Sequence, residues 1–162
     1  MTLLRRIETA LFVALVFSLG ALVTAPLSFA ADDAPPAPRA AADPLAGARG
    51  HIARERWPEA IAALRRVNAP DSADWNNLMG FSLRKQARPD LDGAQRYYDA
   101  ALRIDPNHRG ALEYAGELAL MKGDPQTARR LLARLEQVCP SGCEERTDLE
   151  RALQRQPAGA TR

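Results

Sequence analysis

Three alanines, Ala60, Ala94 and Ala128, recur at intervals of 34 residues, and their surroundings recur with them. Four residues after each stand Leu64, Tyr98 and Leu132; seven after stand Val67, Ala101 and Leu135; twelve after stand Ser72, Pro106 and Pro140. A fixed period of this length leaves few architectures open. Each unit must be one supersecondary element whose apolar face only the next unit can cover, so about three units are the minimum for a stable core.

The unit is helical. Between residues 44 and 155 nothing alternates with the two-residue period of a strand, and apolar residues recur at helical spacing instead. Asp43-Pro44 supplies an N-cap and a proline at the first helical position, opening a segment that runs to about Arg56. Pro58 opens a second segment, where Ala60, Ile61, Leu64 and Val67 share a face, and the run NAPDSAD ends it. Trp75, Leu78, Met79, Ser82 and Leu83 line a third segment as far as the ARPD break. Ala94, Tyr97, Tyr98, Ala101 and Leu102 line a fourth, as far as DPNH. Ala111, Leu112, Ala115, Leu118 and Ala119 form a fifth stripe, stopped at Gly123. Asp124-Pro125 then repeats the Asp-Pro opening, and Ala128, Leu131, Leu132, Leu135 and Val138 form the sixth. Six helices joined by short breaks make an all-α array of antiparallel pairs.

A helix-turn-helix unit of this period, with these residues, resembles the tetratricopeptide repeat family. That motif places a small residue in the first helix, a glycine at the turn, an alanine early in the second helix and a proline at the end. Residues 109–142 match best: Gly116 takes the small position, Gly123 the turn, Ala128 the close-packing alanine and Pro140 the terminal proline. In residues 75–108 the corresponding residues are Gly80, Ala94, Tyr98 and Pro106, but ARPDLDG lengthens the turn by two residues and has no glycine at the usual place. Residues 41–74 depart furthest, with Ala48 at the small position, RERW at the turn, Ala60 in the second helix and Ser72 in place of the proline.

The resemblance implies a solenoid of three repeats. Residues 143–155 fit a covering helix for the last face, with Leu149 and Leu153 inward and the charges outward. It also implies that the first helix of each pair lines a concave groove. The groove positions are Asn77, Phe81, Arg84 and Lys85 in the second repeat, and Glu113, Glu117 and Leu120 in the third. Such a groove would hold an extended peptide or protein partner without catalysis, and charge reversal at Arg84 is expected to weaken capture without unfolding the chain.

The ends point to a compartment. Arg5 and Arg6 precede an apolar run from about Thr9 to Ala25, Pro26 breaks it, and Ser28-Phe29-Ala30 reads as a cleavage site. This is the layout of a secretory signal peptide over residues 1–30, with an uncleaved membrane anchor as the alternative. The expected destination is the bacterial periplasm. Residues 31–43 and 156–162, rich in Ala and Pro or small residues, read as a flexible leader and tail. Cleavage would remove two of 22 basic residues and one of 20 acidic ones, leaving a net charge of about +1. That balance does not call for nucleic acid as a partner, and the membrane enters only if the segment stays uncleaved.

Catalytic groups are sparse. No HExxH, GxSxG, phosphate-binding or dinucleotide-binding glycine pattern occurs, and no cofactor is implied. The two histidines read as a packing residue (His51) and an exposed residue at a helix start (His108). Trp75, Tyr97 and Tyr98 read as core packing rather than a stacking platform. The chain is therefore expected not to be an enzyme. Its two cysteines, Cys139 and Cys143, flank a Pro-Ser-Gly turn, and Ser141 with Glu144 forms a capping-box pattern. In an oxidising compartment such a pair reads as a disulfide clasp on the covering helix. The alternative is a thiol-redox or metal-handling role for the same two residues.

Overall fold

The computed structural model of the chain describes residues 42–155. The candidate signal segment 1–30, the leader up to residue 41 and the tail 156–162 lie outside the described residues. Among the described residues there are seven helices and no strand: α1 (Ala46–Ile52), α2 (Trp57–Val67), α3 (Ala73–Lys85), α4 (Leu91–Ile104), α5 (Arg109–Met121), α6 (Pro125–Val138) and α7 (Glu144–Gln154). None is long and apolar enough to cross a membrane.

The period is carried by the second helix of each pair. α2, α4 and α6 begin at Trp57, Leu91 and Pro125, 34 residues apart each time. Asp90 and Asp124 cap α4 and α6 by accepting from the N–H groups of Gly93 and Thr127, at 2.8 and 2.9 Å. Pro58 sits in the first turn of α2 and Pro125 opens α6, where a missing N–H costs nothing.

The turns inside the pairs differ more in sequence than in geometry. After α5, Gly123 takes φ 77°. Its N–H donates to Leu120 and that of Asp124 to Ala119, at 3.0 and 2.8 Å, which is a Schellman closure. The same two bonds close α1, from Glu55 to Ile52 and from Arg56 to His51, at 2.8 and 3.0 Å. Glu55 takes the left-handed conformation there, with φ 54°, so α1 stops at Ile52 rather than near Arg56. Between α3 and α4 the connection spans residues 86–90, two residues longer than the 122–124 connection between α5 and α6.

Between pairs, a proline-bearing turn recurs. Ser72 donates to Ala69, His108 to Asp105 and Gly142 to Cys139, with Pro70, Pro106 and Pro140 each second in its turn. The structural counterpart of Pro106 and Pro140 is thus Pro70, not Ser72, because α2 is three residues shorter than α4 and α6 and its exit, through left-handed Asn68, is one residue longer. Ser72 serves instead as the N-cap of α3, accepting from the Trp75 N–H at 3.2 Å. Pro106 and Pro140 are exposed; they shape turns and bury little.

Packing follows from the stripes. Ala60, Leu64, Ala94, Tyr98, Ala101, Ala128 and Leu135 are fully buried. One core cluster joins α1–α4 to Ala115 and Leu118 of α5, and a second joins α5, α6 and α7 around Leu112, Leu135 and Leu149. Leu102 and Leu131 pack against both, so apolar contact is continuous along the array. Trp75 lies in the core, its indole N–H donating to the Leu64 carbonyl at 2.7 Å. Two glycines permit close crossings. A Cβ on Gly80 would come within 2.7 Å of the Tyr98 ring in the partner helix α4, and one on Gly116 within 2.6 Å of Leu149 on α7. The two small positions therefore serve different neighbours.

Candidate functional site

The first helix of each pair touches the next such helix: α1 meets α3, α3 meets α5 and α5 meets α7. No α-carbons of the second helices α2, α4 and α6 come within 8 Å of one another. Two concavities lie within the row formed by α3, α5 and α7, and a third, of about 400 Å³, adjoins the first at Asn77, Gly110 and Glu145 and reaches out to Arg49, His108 and Arg109. One, of about 200 Å³, is lined from the starts of the three helices by Asn77, Gly110, Glu113, Tyr114, Glu144, Glu145 and Asp148. The other, of about 310 Å³, is lined from their ends by Arg84, Lys85, Glu117, Leu120, Met121, Ala152 and Arg155. The three helices hence run side by side in one direction. In α3 and α7 the charges follow the helix dipole, with carboxylates in the first turn and cations in the last.

All seven groove residues fall on this row, in different states. Arg84 is not a solvated groove residue. It is 7% exposed, pairs with Glu117 at 2.7 Å, and donates from Nε to the Tyr98 hydroxyl at 3.3 Å. Its guanidinium lies over the rings of Phe81 and Tyr114, at 5.6 and 5.5 Å from their centres. Burial pushes the Tyr98 and Tyr114 hydroxyls up, that of Tyr114 to about 12. Arg84 thus ties α3 to α4 and α5, and its reversal to Glu would face Glu117 in a buried site. This burial argues against the expectation that Arg84→Glu leaves the fold intact. Lys85, its neighbour, is exposed, with its ammonium 6.0 Å from the Phe81 ring centre. Leu120 is buried in the second core cluster, and Phe81 is half-buried between Trp57 and Tyr114.

Glu113 stands at the start of the row. It is 7% exposed, and among the described residues no cation lies within salt-bridge distance of it. Burial, with Glu117, Asp148 and Glu145 adding repulsion, pushes its carboxyl up to about 8; Arg84 opposes the shift. Asn77 beside it is also 7% exposed, and its Oδ1 is buried with no hydrogen-bond partner among the described residues. Glu145 and Asp148 turn partly inward toward Glu113, rather than all the charges of α7 facing out. Sequence reading missed Tyr114, Glu145 and Asp148, because a covering role for residues 143–155 asks only where Leu149 and Leu153 point. Treating α7 as the first helix of a further unit, 35 residues after α5, would have aligned Asp148 with Glu113.

The histidines offer no free base. His108 is largely covered rather than exposed, with 13% of its side chain accessible. Its Nδ1 accepts from the Ala111 N–H at 3.1 Å, so Nε2 carries the proton and donates to Asp74 at 3.0 Å. His108 is the N-cap of α5, the role Ser72 plays for α3. Burial works against the Asp74 charge, but the bonds from His108 and Arg49 outweigh it and hold that carboxyl below its usual range. His51 is half-buried, with its Nδ1 enclosed and unpartnered.

The sulfurs of Cys139 and Cys143 stand at disulfide distance, 2.08 Å, with their α-carbons 6.0 Å apart. The pair spans the α6–α7 turn. Cys143 is itself the N-cap of α7 and no side chain caps that helix, so the Ser141–Glu144 box does not form. Among the described residues no three His, Cys, Asp or Glu side chains are grouped to hold a metal ion. Fold and face define a class: an all-α, helical-repeat-like chain with a polar row along its first helices. Compared with protein-family models and with curated proteins, the chain matches none of them.

Proposed function

We propose that the chain is a non-catalytic binding module of the tetratricopeptide type, an adaptor in the bacterial cell envelope that holds an extended peptide or protein segment. The observation that carries this reading is the serial contact of α1, α3, α5 and α7 while α2, α4 and α6 stay apart. Helices that touch on one side and separate on the other describe a curved stack, with the touching row on the inside. That inner row presents concavities of about 200 and 310 Å³ lined by charged side chains, with Tyr114 as the one aromatic in the smaller. The adaptor reading also draws on the candidate signal segment and on a cysteine pair suited to an oxidising compartment.

Position-specific crosslinking in envelope extract tests it. A photoreactive residue at Lys85, on the inner row, should give a discrete adduct, and one at Arg130, exposed on α6, should not. Equal adducts from both positions, or none from Lys85, would overturn the reading.

A further inference from the structure

We infer that the cleft between the starts of α5 and α7 is a receptor for a single cationic side chain, the guanidinium of an arginine or the ammonium of a lysine on the partner. The inference rests on the peptide-binding reading and deepens it by naming what the partner must carry.

The cleft presents acceptors and no donor cation. Glu113, Glu144, Glu145 and Asp148 line it, and no Arg, Lys or His does. Arg109 and Arg151 reach Glu145 and Asp148 at 3.6 and 3.1 Å, but from the rim, where their side chains are 54% and 60% exposed. Arg49, His108 and Arg109 line the adjoining concavity that shares Asn77, Gly110 and Glu145, so among the described residues no cation of the chain fills the cleft interior. The independent sign is Asn77, which lines the cleft and whose Oδ1 is buried with no partner among the described residues. An orphaned buried acceptor is destabilising unless something donates to it. A guanidinium brings five N–H donors in a planar fork and an ammonium three, and either can serve Asn77 and a carboxylate together. Tyr114 adds an aromatic wall.

The dimensions favour an organic cation. About 200 Å³ is several times the roughly 30 Å³ share of one water, room for the end of a long side chain. Among the described residues the carboxylates are too dispersed to hold a metal ion. The protonation of Glu113 fits the same picture. With Glu117 on its own helix, Glu145 and Asp148 on α7, and only Arg84 of α3 opposing them, Glu113 holds its proton near neutral pH while the cleft is empty. An entering cation favours the carboxylate, so binding releases a proton.

NMR titration of the full chain tests this with five probes: a short blocked peptide holding one arginine, the same peptide with lysine, the same with citrulline, spermidine, and magnesium chloride. The expected result is saturable shifts at Gly110, Tyr114 and the Asn77 side-chain amide with the arginine and lysine peptides. The citrulline peptide should be at least tenfold weaker, and Glu113→Gln and Asp148→Asn should each weaken arginine binding severalfold while the rest of the spectrum stays unchanged. Calorimetry in two buffers of different ionisation enthalpy at pH 7 should show proton release in the wild type and none in Glu113→Gln. Equal shifts from citrulline, or shifts unaltered by both substitutions, would overturn the inference. Saturation by spermidine or magnesium at tenfold lower concentration than the arginine peptide would do the same, because the cleft would then serve a free ion. A Lys85 adduct that persists while the arginine peptide fails would leave the adaptor reading standing and this inference refuted.

Discussion

Arg84 and Lys85 are adjacent in sequence and belong to different parts of the molecule. Breaking a buried charge pair by removing one partner typically costs about 3–5 kcal/mol. Arg84→Glu adds repulsion from Glu117, so urea denaturation should show a loss of at least that order; a variant as stable as wild type would mean that Arg84 is not buried. Lys85→Glu should leave the unfolding free energy within about 0.5 kcal/mol of wild type, as expected for an exposed side chain. Glu113 makes a pH prediction. Its carboxyl titrates near 8 in the folded chain against 4.5 for an ordinary glutamate. Between those values the native state binds more protons than the unfolded one, so stability falls as pH rises through that window. Melting temperatures from pH 4 to 9 should thus diverge in favour of Glu113→Gln, the gap widening from about pH 4.5 and levelling off above about pH 8. Parallel curves would show that Glu113 titrates normally. Burial of these two charges was not legible in the sequence, because beyond Phe81 the residues enclosing Arg84 (Tyr98, Tyr114 and Glu117) lie at least 14 positions away. His108 escaped for a different reason: imidazole is an uncommon N-cap, so nothing local marked it as one.

Among the elements, the second helices were legible and the turns less so. A strict period survives wherever the capping chemistry repeats, as it does at Asp90 and Asp124. It slips where helix length changes, as at the end of α2, where Pro70 rather than Ser72 shapes the turn. The shared closure of α1 and α5 makes a sharp case. Glu55 holds at φ 54° the conformation that Gly123 holds at 77°, and a non-glycine residue there is strained by about 1–2 kcal/mol. Glycine's larger freedom in the unfolded chain offsets about 0.4–1 kcal/mol of that. Glu55→Gly should therefore stabilise by about 0.5–1 kcal/mol in equilibrium denaturation, and a loss would mean that the Glu55 side chain makes a contact of its own. Gly80 argues the other way. Alanine would gain about 1 kcal/mol of helix propensity, but its methyl would meet the Tyr98 ring, which is fully buried and tethered by Arg84. Overpacking of that kind costs about 1–3 kcal/mol, so Gly80→Ala should be net destabilising.

At the scale of the whole molecule, the question is what ends the array. A stack of helix pairs always leaves one face uncovered, and here α7 takes it. Leu149, fully buried, fills the space over Gly116, and Leu153 packs on the same cluster. The Cys139–Cys143 link closes a five-residue ring, for which loop entropy allows only about 2 kcal/mol. Burial of Leu149 contributes more: truncating such a side chain to alanine costs about 2–5 kcal/mol. Three variants separate the contributions. Cys139→Ser with Cys143→Ser should lower the melting temperature and leave the helical circular dichroism intact. Leu149→Ala should lower it at least as far with the cysteines still paired. A chain ending at Gly142 should do worst, because α5 and α6 would then expose Leu112, Leu120 and Leu135 together, and it should bind hydrophobic dye or self-associate on gel filtration. If the truncated chain melts like wild type and stays monomeric, α7 is an appendage and the array ends at α6. If the cysteine variant loses more than Leu149→Ala, the covalent link, not the buried leucine, seats the last helix.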